Sequence, residues 1–242
     1  LRTLCISDIH GCFDQFEQLL KVAKYNPDKD KLVLLGDYVD RGMKSKQVLA
    51  KAMQLHKEYG VIVLKGNHDD MFVKAIRDKE DQLWLYNGGI HTVTSYYGSE
   101  ELQDGFDWDT YDRAKKFIIS NYNHHVNFLE KLPLYHEDDD HIFVHAGINP
   151  FYGEEWKEKQ SEEDFIWIRD IFYRNETQVN KTVVFGHTPT RNLHNSYDIW
   201  FDERRDKIGL DGACAYGGQL NCLEISNEGY KNYSVSNRGD KN

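Results

Sequence analysis

Five apolar runs of strand length each stop at a polar, glycine-bearing cluster, and this constrains the fold more than any other feature. Leu4-Cys5-Ile6 runs into Ser7-Asp8-Ile9-His10-Gly11, and Leu32-Val33-Leu34-Leu35 into Gly36-Asp37-Tyr38-Val39-Asp40-Arg41-Gly42. Val61-Ile62-Val63-Leu64 runs into Lys65-Gly66-Asn67-His68-Asp69, Ile142-Phe143-Val144 into His145-Ala146-Gly147, and Thr182-Val183-Val184-Phe185 into Gly186-His187-Thr188-Pro189. Asp37 lies 29 residues after Asp8, and Asn67 lies 30 after Asp37. A strand–helix–strand unit takes about 30 residues. Helical spacing fills both gaps, with Phe13, Phe16, Leu19, Leu20 and Ala23, then Val48, Leu49, Ala52, Met53 and His56. The period therefore predicts right-handed crossovers in a parallel sheet. Parallel strands set their C-terminal ends along one edge, where ligands of open α/β sheets bind. All five clusters are expected in one crevice.

The rest of the chain reads as one domain over 1–242. A mostly helical insertion spans 77–140, with Trp84-Leu85-Tyr86 before Asn87-Gly88-Gly89 and a helix near Tyr111–Tyr122. The acidic run Glu137-Asp138-Asp139-Asp140 sits between two strand patterns and reads as a solvated turn. Short strands follow at Ser196–Phe201, Lys207–Asp211, Gln219–Ile225 and Tyr230–Val235, and 236–242 reads as a frayed tail. With 40% hydrophobic and 29% charged residues, a disordered chain is excluded. No apolar run approaches the roughly 18 residues of a membrane span, and the N-terminus carries no signal-peptide stretch. Four scattered cysteines suit buried free thiols in a cytoplasmic protein. We expect a monomer. A net charge of −10 disfavours nucleic acid and anionic membranes as partners. An anionic substrate remains possible if bound cations invert the local field.

The strand ends supply those cation ligands. Asp8 and His10, two apart on an extended segment, leave the same face. Asp37, Asn67, His145 and His187 arrive from four further ends. Two carboxylates, an amide oxygen and three imidazoles suit Mn, Fe or Zn. They are too many for one tetrahedral zinc, and they suit two ions about 3.5–4 Å apart sharing a carboxylate. Such a pair lowers the pKa of a bridging water and clamps a phosphoryl oxygen. Taken singly, Gly-Asp and Gly-His are turn chemistry, and a lone histidine is more often a satisfied core residue. Five ends together are not, because burying so many unpaired groups without a cation is prohibitive.

These residues resemble a family. Asp8-x-His10-Gly11, Gly36-Asp37-x-x-Asp40-Arg41-Gly42, Gly66-Asn67-His68-Asp69, His145-Ala146-Gly147 and Gly186-His187 are similar, in order, to the motifs of the PPP-type metallophosphoesterases. That family includes Ser/Thr protein phosphatases and the bacterial diadenosine tetraphosphate hydrolases. The resemblance runs from Ser7 to about Leu223. It implies an α/β metallo-dependent phosphatase sandwich, with two mixed sheets flanked by helices and a dimetal site at the strand C-terminal ends. It further implies that Asp8, His10 and Asp37 hold one ion, and that Asp37, Asn67, His145 and His187 hold the other. His68 would be the general acid oriented by Asp40, with Arg41 gripping phosphate. A second phosphate arginine is expected at Arg169, with Arg174 as the alternative. Ser7, Lys65 and Asp69 depart from common family residues, as does Asp211-Gly212-Ala213-Cys214, but none is an implied ligand.

The expected activity is that of a phosphoric-ester hydrolase, a Ser/Thr protein phosphatase using a metal-bridging hydroxide with two divalent ions, read as manganese with iron or zinc as alternatives. The alternative is dinucleoside polyphosphate hydrolysis at the same centre. Its substrate needs a ring-stacking aromatic and extra cations, for which Tyr96, Tyr97, Trp108 and Arg113 are candidates, although aromatic core is the better reading of the first three. A metal-binding regulatory module without turnover would need a broken ligand or acid. All seven positions are intact.

Overall fold

The computed structural model describes residues 2–98 and 107–237. The first third builds as its period requires. β1 (Arg2–Ile6), α1 (Phe13–Val22), β2 (Asp30–Leu34), α2 (Ser45–Tyr59) and β3 (Ile62–Val63) form two successive crossovers, with β1–β2 and β2–β3 parallel. After α3 (Asn67–Asp78), the insertion supplies α4 (Asp81–Tyr86), α5 (Gly89–Tyr97) and α6 (Trp108–Glu130). The last of these extends the expected Tyr111–Tyr122 helix in both directions. β4 (Tyr135–Glu137) and β5 (His141–Val144) form a hairpin. Asp138 Oδ1 accepts the amide N–H of Asp140 at 3.0 Å and of His141 at 2.7 Å, so the acidic run is indeed turn chemistry. Short helices α7 (Trp156–Lys159), α8 (Glu162–Trp167) and α9 (Asp170–Tyr173) lead to β6 (Thr182–Phe185). β7 (Trp200–Phe201), β8 (Lys207–Gly209), β9 (Gln219–Ser226) and β10 (Gly229–Ser236) complete the strands.

The five strand ends do meet, and they come from two mixed sheets, as the family resemblance implies. One sheet has the order β10-β9-β1-β2-β3 and the other β4-β5-β6-β8-β7. β5, β6 and β8 are mutually parallel with antiparallel β4 and β7 at the edges, whereas in the first sheet antiparallel β9 lies between β1 and the edge strand β10. Side-chain alternation explains why periodicity did not separate the sheets. Leu4 and Ile6 of β1, with Leu32 and Leu34 of β2, face the cluster beneath the helices. Cys5 and Val33 face the other way and meet Phe143 and Val184 of the second sheet. Ile142 and Val144, with Val183 and Phe185, complete a third cluster on the far side with Phe165 and Phe172. Every central strand is thus buried on both faces and reads as an unbroken apolar run. The layers are helices, sheet, sheet, helices.

Two departures from the expected boundaries have a visible cause. The strand read as Ser196–Phe201 shortens to Trp200–Phe201, because Ser196 and Asp198 hydrogen-bond each other into a turn. The tail does not fray at Ser236: β10 includes it, and the Asn237 side chain donates to Cys214 O at 2.8 Å. Residues 238–242 lie outside the described residues. All four cysteines are free and buried.

Arg2 ties β2, β9 and the end of α1 together. Its guanidinium donates to both oxygens of Asp30 at 2.9 Å, to Glu224 at 2.5 Å, and to the carbonyls of Ala23 and Lys24. Asp30 begins β2 and Glu224 lies on β9, so the staple crosses β1 from one neighbour to the other. The Arg2 hydrogen bonds hold Asp30 below the usual carboxylate range; Glu224, which burial alone would raise, is lowered by Arg2 and Tyr233. Depressed carboxylates contribute stability above their unfolded-state pKa and lose it as pH falls through the folded-state value. Arg2→Met is expected to cost about 1–3 kcal/mol at pH 7 in urea unfolding. The difference from wild type should shrink as the medium is acidified below the ordinary carboxylate pKa. A difference independent of pH would mean that packing, not charge, carries the effect.

Candidate metal centre

The turns that end the strands put their side chains inward by adopting unusual backbone. Asp8 (φ 53°), His10 (φ 43°), Asp37 (φ 60°), Asp40 (φ 71°), Arg41 (φ 67°) and His187 (φ 62°) all lie in the left-handed region. Non-glycine residues there cost about 1–3 kcal/mol each and persist where surroundings over-determine them. Asp and His tolerate the region better than most. Close approach finishes the job at Gly186, where an added Cβ would lie 1.9 Å from Ser7 Oγ and 2.1 Å from Asp8 Oδ2. The two sheets touch here with no room for a methyl group.

Asp37 is at the middle. Its Oδ2 lies 3.3 Å from His10 Nε2 and its Oδ1 3.4 Å from His145 Nε2. Two groups of facing donors share it: His10, Asp37 and His68, then Asp37, His145 and His187. Asn67 joins the second, with Oδ1 3.0 Å from His145 Nε2. Asp8 stands beside the first, with Oδ1 4.0 Å from His10 Nε2. Its Oδ2 is engaged by Ser7 Oγ at 2.5 Å and the His187 amide at 2.9 Å, leaving Oδ1 free to ligate. All six expected ligands are buried. The geometry also brings in His68, which had been read as an acid.

The residues fit a bound cation. His10 Nδ1–H donates to Val39 O and His145 Nδ1–H to Leu35 O, both at 2.8 Å, so each Nε2 turns a lone pair inward. The His145 lone pair, the Asn67 carbonyl and the Asp37 carboxylate are acceptors aimed at one another, an arrangement that a cation satisfies. His187 Nε2 is buried with no hydrogen-bond partner among the described residues. Burial lowers the pKa of His10, helped by Arg41, and lowers His187 far more, helped by His145 and Arg169. For both imidazoles burial favours the neutral form, the one that ligates. Burial alone would raise Asp37, but His145, His68 and His10 around it outweigh that and hold it well below the carboxylate range.

His68 Nδ1 meets Asp40 Oδ2 at 2.7 Å, as the sequence reading expects. Arg41 Nη1 reaches His10 Nε2 at 2.7 Å, and its guanidinium lies 5.0 Å from the ring centre of Tyr216, which is 65% exposed. Arg169 comes to the site, donating to His187 O at 3.0 Å and Thr188 Oγ1 at 3.3 Å. Arg174 does not: it is exposed and pairs with Asp170. Of the aromatic candidates, Tyr96 is core and bonds His125, while Tyr97 packs on Phe117. Trp108 stacks edgewise on Tyr111, and Arg113 donates to Thr110. Sequence reasoning missed the supports. Asp69 accepts the amides of Asp37, Tyr38 and Gly66 at 2.8–3.0 Å, and Trp84, Thr92 and Ser45 surround Asp40. Their signal was the Gly-x-x-Asp spacing in the first case and the Asn87-Gly88-Gly89 turn in the second.

Fold and donor set together define a metal-dependent hydrolase. The chain belongs to the calcineurin-like phosphoesterase family, whose model matches residues 1–216. Such enzymes are phosphoester hydrolases with a dinuclear metal centre. The chain is 26% identical to serine/threonine-protein phosphatase 1 of Salmonella typhimurium, over 91% of this chain and 90% of that protein. It is also 26% identical to the asymmetrical bis(5'-nucleosyl)-tetraphosphatase PrpE of Anoxybacillus flavithermus, over 90% of this chain and 88% of that protein. Among solved structures, a cold-active protein-tyrosine phosphatase of a Shewanella species superposes with a TM-score of 0.61 at 17% identity. That match covers 97% of this chain and 80% of the other, and it speaks to the fold.

Ligand and support can be told apart by metal content. Asp37→Asn is expected to lose bound metal, because the shared carboxylate weakens both groups at once. Asp40→Asn should retain the metal and lose turnover, since Asp40 touches His68 and none of the six expected ligands. Equal loss of metal in both variants, by elemental analysis, would make Asp40 part of the ligand shell.

Proposed function

We propose that this protein is a Ser/Thr protein phosphatase that uses two manganese ions, with iron or zinc as substitutes, and works as a cytoplasmic monomer. The observation that carries the proposal is the Asp37 carboxylate set between two imidazole groups. Asp8, His10 and Asp37 would hold one ion, and Asp37, Asn67, His145 and His187 the other. When bound, the pair supplies a nucleophile from water near neutral pH and draws charge from the phosphoryl oxygens. Arg41, with its fork at the mouth of the site, and Arg169, beside His187, orient the phosphate through charge-assisted hydrogen bonds. His68 delivers a proton to the leaving seryl or threonyl oxygen. Asp40 fixes its ring and stabilises the protonated form.

The match along nearly the whole of a relative named as a Ser/Thr phosphatase supports this substrate class. A second reading, dinucleoside polyphosphate hydrolysis, draws on the equally extensive match to the PrpE tetraphosphatase. The Tyr216 ring against Arg41 gives that reading an aromatic beside a phosphate-binding cation. A panel of phosphopeptides and diadenosine tetraphosphate with manganese-loaded protein separates the two. Higher kcat/KM on the dinucleotide than on every phosphopeptide would replace the first reading by the second.

Chelation is expected to abolish turnover and manganese to restore it; full activity in protein shown to be metal-free would overturn the mechanism. The proton role has its own measurement. A seryl alkoxide needs a proton as the P–O bond breaks, whereas nitrophenolate does not. His68→Asn should cost about 10²–10⁴ in kcat on a phosphoserine peptide and much less on nitrophenyl phosphate. Equal losses on both, with chemistry rate-limiting, would mean that His68 binds metal or phosphate instead.

A further inference from the structure

Asp40 is held by more than the histidine it faces. Its Oδ1 accepts the Trp84 indole N–H at 2.9 Å and the Thr92 hydroxyl at 2.6 Å, while Oδ2 takes His68 Nδ1 at 2.7 Å. The Asp40 amide donates to Thr92 Oγ1 at 2.8 Å and Ser45 Oγ at 3.1 Å. Asp40 and these four partners are all buried. Trp84 and Thr92 come from α4 and α5, the two helices joined by the Asn87-Gly88-Gly89 turn. That turn touches the catalytic loop at Gly88 and the indole at Gly89. Gly88 O accepts the Arg41 amide at 3.4 Å, and an added Cβ on Gly89 would lie 2.5 Å from the Trp84 ring.

We propose that the α4–turn–α5 unit of the insertion is a positioning device for proton delivery, in which Trp84 and Thr92 lock the Asp40 carboxylate so that His68 presents its proton to the leaving group. The inference rests on the reading of His68 as the general acid. A carboxylate with one partner can swing about its Cβ–Cγ bond; one with three fixed donors cannot. Neither Trp84 nor Thr92 touches any of the six expected metal ligands through a hydrogen bond. Trp84 and Thr92 are therefore positioning residues, acting through Asp40, and the unit can fail without loss of metal.

Three variants of the full chain test this. Trp84→Phe keeps the ring and deletes the donor, Thr92→Val keeps the shape and deletes the hydroxyl, and Gly89→Ala pushes the indole from its seat. Each is expected to lower kcat on a phosphoserine peptide about 10–100-fold, the usual range for partners of this kind, with KM and metal content retained. The loss on nitrophenyl phosphate should be at least tenfold smaller. Thr92→Ser, which restores a hydroxyl, should recover most of the rate. By NMR, the Trp84 indole N–H resonance is expected well downfield of the other four indoles and should move upfield in Thr92→Val and Asp40→Asn. His68→Asn is run alongside. If His68→Asn discriminates between the substrates but Trp84→Phe and Thr92→Val do not, the positioning role is wrong and the acid stands. If His68→Asn itself shows equal losses, the acid reading falls first. Should Trp84→Phe fold poorly, the Thr92→Val and Thr92→Ser pair decides the matter alone.

Discussion

Everything at this site is arranged around one buried carboxylate that two sheets must share. Asp37 faces His10, from the end of β1, through one oxygen and His145, from the end of β5, through the other. Its own amide is fixed by Asp69, and its Oδ1 also accepts the His68 amide at 3.0 Å. An ionised carboxylate at this depth is unfavourable unless opposite charge compensates it. The compensation is spread over both halves of the sandwich, so the sheets must register to within hydrogen-bonding distance for any of it to exist. The missing methyl at Gly186 and the ten-residue apolar cluster between the sheets are two aspects of that same requirement.

Registering the sheets does not aim the side chains; the strained turns do that. Six functional positions occupy left-handed backbone, where relaxation would swing a ligand away from the centre. What holds them is local and polar. Asp69 gathers three amides under the Asp37 turn, and Ser45 with Thr92 gathers the Asp40 amide. The core beneath the helices supplies the favourable burial against which this strain is set. Structure and chemistry are therefore coupled through a few buried hydroxyls and carboxylates that touch no substrate.

Much of this was legible in the sequence, for a physical reason. The roughly 30-residue recurrence of Asp8, Asp37 and Asn67 after apolar runs reflects crossover length, and ligand type reflects metal chemistry; both are properties of local sequence. Asp8, His10, Asp37, Asn67, His145 and His187 could be gathered on those grounds, and they do converge. The division into two sheets was not legible from the runs, because strands buried on both faces carry no alternation to say which neighbour lies on which side. Arg169 was placed only by resemblance. Trp84 and Thr92 were invisible because their contact with Asp40 spans 44 and 52 residues, and a tryptophan in an apolar helix reads as core. The strand beginning at Ser196 failed locally, where two polar side chains satisfied the backbone better than a ladder did.

One pairing has a consequence for how such a chain comes into being. β1, which carries Asp8 and His10 at its end, lies between β2 and β9, and the Arg2–Glu224 contact closes a separation of 222 residues. On a ribosome adding about 5–20 residues per second, β1 waits about 10–45 s for its second neighbour. Throughout that interval its edge is an open template of unpaired backbone groups. β1 is thus made early and enclosed late, and whatever covers its edge until β9 arrives protects the chain from pairing with the wrong strand.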